Sequence, residues 1–143
     1  MMENVITRLD TQVADLTGKV EGAAAFAAMM KGGRGPHNMP AAFVLPLGLQ
    51  GGRAEASSGM FVQSYAESIG VVLFLQATDP QAERALDRLR PLIAQVIDAI
   101  AGWAPGNTVG VFGLSRGALI GVQGGRLAYQ IDFSIQDQLR IAS

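Results

Sequence analysis

The chain has no cysteine, one histidine (His37) and two lysines (Lys19 and Lys31) among its 143 residues. The first absence excludes disulfides and thiolate metal sites, and a lone histidine cannot build a histidine cluster. A metal would have to rest on carboxylates, and no carboxylate group with ligand spacing stands out. An excess of one charge is also missing. Lys and Arg total 11 against 12 Asp and Glu, without the basic surplus that nucleic-acid binding normally shows, so sequence-specific nucleic acid binding is not expected. No apolar run approaches a bilayer span, and residues 1–8 lack the basic-then-apolar layout of a signal peptide. The expectation is no membrane role, and synthesis and function without secretion. What the chain does have is apolar residues, 49% against 16% charged. That suffices for the core of one domain, residues 1–143, with a surplus that suits a partner surface.

One motif suggests chemistry. Gly113-Leu114-Ser115-Arg116-Gly117 spells Gly-x-Ser-x-Gly, the nucleophile elbow of serine hydrolases, in which a strained strand-to-helix turn lifts the serine towards a histidine. In that fold the acid and the histidine follow the serine, but no histidine follows Gly117. The residues after the motif, Ala118 to Gly125, are glycine-punctuated and β-branched, which is poor helix material. The lysines of a Ser/Lys dyad are far off in sequence. The expectation is no enzyme and no catalytic residue, with Ser115 in the middle of a sheet.

The loop from Lys31 to Pro40, Lys-Gly-Gly-Arg-Gly-Pro-His-Asn-Met-Pro, invites a phosphate-cradle reading because bare amides and an arginine can hold an anion. It lacks the Gly-Lys-Ser/Thr that opens a helix in a P-loop, and His37 reads as a solvated loop residue. No cofactor and no metal site is expected.

Periodicity supplies the elements. Val5, Ile6, Leu9, Val13 and Leu16 recur at helical steps and predict a helix over 4–16, stopped by Gly18. Residues 19–22 fit a very short strand, and 23–30 a short Ala/Met helix. Residues 41–47 read as a strand whose Pro46 marks an edge or a bulge, and 50–59 as a polar Gly/Ser connection. A longer β segment covers 61–76, with Gly70 as a bend. The best-defined helix has a cap at Thr78-Asp79-Pro80-Gln81, a stripe of Leu86, Leu89, Ile93, Val96, Ile97 and Ile100, and a kink at Pro91. Strands over 109–123 and 126–135 then flank Gly124-Gly125, a two-residue hairpin signal. Leu127, Tyr129, Ile131, Phe133 and Ile135 share one face of the returning strand. The order α-α-β-β-α-β-β gives an α+β fold, a mostly antiparallel sheet covered on one face by helices.

Several stretches together resemble the tail terminator (tail completion) proteins of long-tailed phages and phage-derived gene transfer agents, the class containing the lambda minor tail protein U. They are the opening Met-x-Glu-Asn-Val-Ile-x-Arg-Leu, residues 40–48 (Pro-Ala-Ala-Phe-Val-Leu-Pro-Leu-Gly), the strand from Phe61-Val62-Gln63 to Val72-Leu73, Gly102-Trp103-Ala104-Pro105-Gly106, and Tyr129-Gln130-Ile131-Asp132-Phe133. The resemblance implies an α+β subunit of a homohexameric ring, in the virion tail or neck after assembly in the host cytoplasm. Such a ring ends tube growth, presents the tail to the head and leaves a path for DNA. Its implied partners are copies of itself, the tail tube protein and a neck or head–tail connector protein. A connector role for this chain is the alternative within the class, and a small hydrolase using Ser115 the alternative outside it. The family has no active-site motif to carry over. Arg34, Arg53, Arg116 and Arg126, all beside loop or strand glycines, are the candidate interface or tube contacts.

Overall fold

The alternation read in Leu127 to Ile135 appears in the last strand of a five-stranded sheet, where Leu127, Ile131, Phe133 and Ile135 are buried. The computed structural model describes residues 1–33, 35–78, 83–108 and 110–142. Along the chain come α1 (Met2–Gln12), a 3-10 turn (Ala14–Leu16), β1 (Val20–Glu21), α2 (Ala23–Gly32), β2 (Ala41–Ser57), β3 (Met60–Gln76), α3 (Glu83–Ile100), β4 (Gly113–Gln123) and β5 (Arg126–Ala142). The sheet order is β1-β2-β3-β5-β4, antiparallel except for the two-residue β1–β2 contact. This is the expected α+β order with a mostly antiparallel sheet.

Two layers hold the packed half. On one face α1 lowers Val5 and Leu9, and α3 lowers Ala85, Leu89, Leu92, Val96, Ala99 and Ile100, onto Ile69, Val71, Leu73 and Leu75 of β3 and the apolar row of β5. The helical cover expected on one face describes these two helices. The short α2 lies on the other face, where Phe26 meets Phe43 edge-on at 5.5 Å and Phe43 meets Phe74 at 5.7 Å.

Several boundaries differ from expectation. The first helix stops at Gln12 and not at Leu16, because Val13 is extended (φ −112°, ψ 102°); the 3-10 turn still delivers Val13 and Leu16 to the core. The stripe of α3 is rotated, since Leu86 is exposed while Ala85, Leu92 and Ala99 are buried. That helix runs unbroken through Pro91, and most of its expected cap, residues 79–81, lies outside the described residues. The strand expected from Val109 begins at Gly113; Val109 lies outside the described residues, and Phe112 is held off the sheet by donating to the Trp103 carbonyl.

The largest difference is in 50–59. Its glycines and serines are not a connection. β2 continues through them to Ser57, and only Ser58-Gly59, both with positive φ, make the turn into β3. Three strands of 17 residues result, about 55 Å long at 3.3 Å per residue. The 18-residue α3 spans only about 27 Å, so the helices cover about half the sheet.

A line of irregularities marks where cover ends. β3 pairs without interruption through Gly70, so the expected bend there is absent. The strands towards the two rims yield instead: β2, its direct neighbour, shifts register between Pro46 and Gly48, and β4, beyond β5, between Leu114 and Arg116, within one residue row of each other across the sheet. Bulges sharpen the local twist and re-aim a strand. On one side of this line lie the buried residues 41–44, 69–75 and the apolar row of β5 up to Ile135; on the other, all of β2 from Pro46 is exposed.

Candidate functional site

The Gly-x-Ser-x-Gly motif is part of β4, an edge strand and not the expected mid-sheet position. Ser115 is the extra residue of the β4 bulge, since Leu114 pairs with Phe133 and Arg116 with Asp132. A strand continues past it where an elbow would turn into a helix, so no strained turn lifts its hydroxyl. It opens on a shallow depression shared with Arg116, Asp132, Ser68 and Leu49. His37 lines a separate cleft, with Lys19, Glu21 and Phe43. The motif's glycines also part company: a side chain at Gly113 would meet open space, whereas one at Gly117 would meet the Tyr129 hydroxyl.

The 31–40 loop leaves the C-terminus of α2, through Gly33 in the left-handed region. Carbonyl ends of a helix repel an anion, the reverse of a phosphate cradle. Among the described residues no polar side chain is buried, and no three His, Asp or Glu side chains converge on one point.

The four candidate arginines are not brought together. Arg34 lies outside the described residues. Arg53 sits in the second irregularity of β2, 3.8 Å from Glu55, with both side chains largely exposed. Arg116 follows the bulge of β4, and Arg126 begins β5, close enough to Gly35 that a side chain there would collide with it. Arg126 pairs with Gln76, twelve residues along β3 from the row beside Arg53, which is about 40 Å.

What the fold assembles instead is a bare sheet. Beyond the bulge line, β2, β3 and β5 form a three-stranded arm whose cross-strand neighbours fix two faces. The face continuous with the α1/α3 side carries Leu49, Phe61, Tyr65, Leu139 and Ile141, with Leu49 at 70% and Ile141 at 54% exposure. There the Tyr65 hydroxyl donates to the Asp137 carboxylate at 3.3 Å. Local burial first, and then the negative charge and hydrogen bond of Asp137, raise its phenol above the usual range. The opposite face carries Ser64, Ser68, Ser134, Gln136 and Gln138. Sequence reasoning missed the arm because 50–57 looks like loop; the Ser58-Gly59 pair before Met60-Phe61-Val62 is the turn signal that could have found it.

A long antiparallel arm with exposed apolar residues on one face, uncovered by any other described element, is suited to contact with other protein. No curated protein matches the chain in sequence. The phage tail terminator protein family model matches residues 1–143. A match along the whole length, on the α+β fold the resemblance implied, means that the chain belongs to the phage tail terminator protein family.

Proposed function

We propose that the chain closes into a homohexameric ring at the head-proximal end of a phage-like tail tube, ends tube growth and joins the tail to the head. A structural role in a phage tail follows from family membership; the ring, the joining and the setting in a phage or a gene transfer agent are the proposal. The observation that carries it is the uncovered half of the sheet, with Leu49, Leu139 and Ile141 exposed on one face. The ring would seat on the tail tube protein and face a neck or connector protein on the head side. The Ser/Gln stretch of the arm's other face suits a channel wall that DNA passes without being held, the charges of that face, Glu55 and Arg140, lying together towards the tip. Arg53 and Arg116, on opposite edges of the sheet, are the candidate contacts best placed between subunits.

Electron microscopy of tails assembled with and without the chain tests the reading. Overlong or headless tails are expected in its absence. Tails of normal length joined to heads without it would overturn the proposal.

A further inference from the structure

We propose that neighbouring copies join edge to edge, β4 of one pairing antiparallel with the outer part of β2 of the next, and that Arg116 meets Glu55 across the seam. The inference rests on the ring reading above and supplies its contact.

Both edges are available. β1 covers β2 only at Ala42 and Phe43, so no strand among the described residues pairs with the outer side of Gly48 to Ser57. β4 has no outer neighbour either among those residues. Natural edges are usually guarded by lysine, proline or short length. β4 has 11 residues, no lysine and no proline, and Leu114, Leu119, Ile120 and Val122 are each at least half exposed.

Direction and register fit. Three antiparallel steps separate β2 from β4, so the two rims run in opposite directions, and like-oriented copies set rim to rim meet antiparallel. Traced through β5, β4 occupies the nine rows of β3 from Ser68 to Gln76; the uncovered part of β2 occupies the nine rows from Met60 to Ser68. A slide of eight rows superposes them, and an even slide keeps every side chain on its own face. Leu114 then lies opposite Ala56, Val122 opposite Leu49, and Arg116 opposite Glu55. The apolar pairs continue the α1/α3 side, and the charges, one from each copy, share the other side. The strand irregularity after Leu114 supplies the offset that puts Arg116 rather than Ser115 in that row. Such a stagger also tilts the strands against the ring axis, as closing a sheet on itself requires.

The absence of native cysteine makes the seam directly testable in the full chain, in solution or on isolated tails. Oxidised Leu49→Cys/Val122→Cys protein should give a covalent head-to-tail ladder on a non-reducing gel, and Gln50→Cys/Val122→Cys, with thiols on opposite faces, should not. Arg116→Glu should raise the concentration for half-assembly by about tenfold, and adding Glu55→Arg should restore it. Assembly by light scattering without the Leu49–Val122 ladder, or with equal cross-linking through Gln50, overturns the seam and leaves the ring standing. A ladder without charge-swap rescue overturns the Arg116–Glu55 pair. A chain that stays monomeric in solution and on tails overturns seam and ring together.

Discussion

The Arg8 guanidinium carbon lies 5.1 Å from the centre of the Trp103 ring, so a side chain of α1 clamps the turn that follows α3. The same guanidinium donates through Nε to the Ala99 carbonyl at 2.8 Å, one of the orphan carbonyls at the end of α3. Arg8→Ala should destabilise the fold by about 1–3 kcal/mol, and Arg8→Lys should recover only part, because an ammonium cannot stack and donate in the same planar geometry. Urea unfolding of the two variants measures this; an Arg8→Lys variant as stable as the wild type would show that charge alone is at work.

Gly110 has no room for a side chain. A Cβ there would stand 2.7 Å from the Gln136 carbonyl oxygen, the atom that accepts the Gly110 N–H at 3.1 Å. Gly110→Ala should cost about 2–3 kcal/mol, as overpacking against backbone does. Thermal unfolding would detect it as a clear drop in Tm.

Ser115→Ala should change stability by less than about 0.5 kcal/mol and leave assembly intact, since the hydroxyl is exposed in a bulge. Gly113→Ala should be similarly mild, with open space around it, while Gly117→Val should push Tyr129 aside at about 1–3 kcal/mol. Loss of tail completion by Ser115→Ala with an intact fold would reopen the catalytic reading.

Within α3, Leu92 is 3% exposed and Leu86 43%. Leu92→Ala should therefore cost about 2–5 kcal/mol and Leu86→Ala well under about 1 kcal/mol. Denaturant midpoints of the pair decide whether the packed face is the one described.

The Tyr65 phenol is raised by burial and by Asp137. Below the ordinary phenol value near 10 both folded and unfolded chains keep the proton, and whatever this group contributes to stability is fully present. Above it the unfolded chain ionises first, so the contribution is lost as pH rises through the folded value. Tyr129→Phe leaves Tyr65 as the single tyrosine, and ultraviolet titration of that variant should show late ionisation that Asp137→Asn brings back towards normal.

The parts of this fold legible in sequence are those where one face is buried by the chain itself. Leu127 to Ile135 alternate because α1 and α3 lie on them, and Gly124 and Gly125 both take the positive φ that a two-residue turn demands. Residues 48–57 were illegible for the converse reason. Among the described residues neither face of that stretch is covered by another element, so burial imposes no apolar alternation, and Gly51-Gly52-Arg53 reads as loop although β3 holds it as strand. The α3 stripe failed more subtly: with Leu86, Leu89, Leu92, Ile93, Val96 and Ile97 all apolar, two overlapping faces were possible, and small Ala85 and Ala99 decided the closer approach. For the candidate site, Arg53 and Arg116 were legible only as residues beside glycines; that they stand on opposite rims depends on strand order, which sequence pattern leaves open.

The 17-residue strands have a mechanical consequence. One hydrogen-bonded plate runs without a hinge in β3 from the helix-covered half to the Ser58–Gly59 tip. A load applied along the strands shears the whole ladder at once, many bonds sharing the force, whereas a load across them would peel bonds singly. Pulled along its strands the subunit should therefore resist more than when pulled across them, and its rims should yield first.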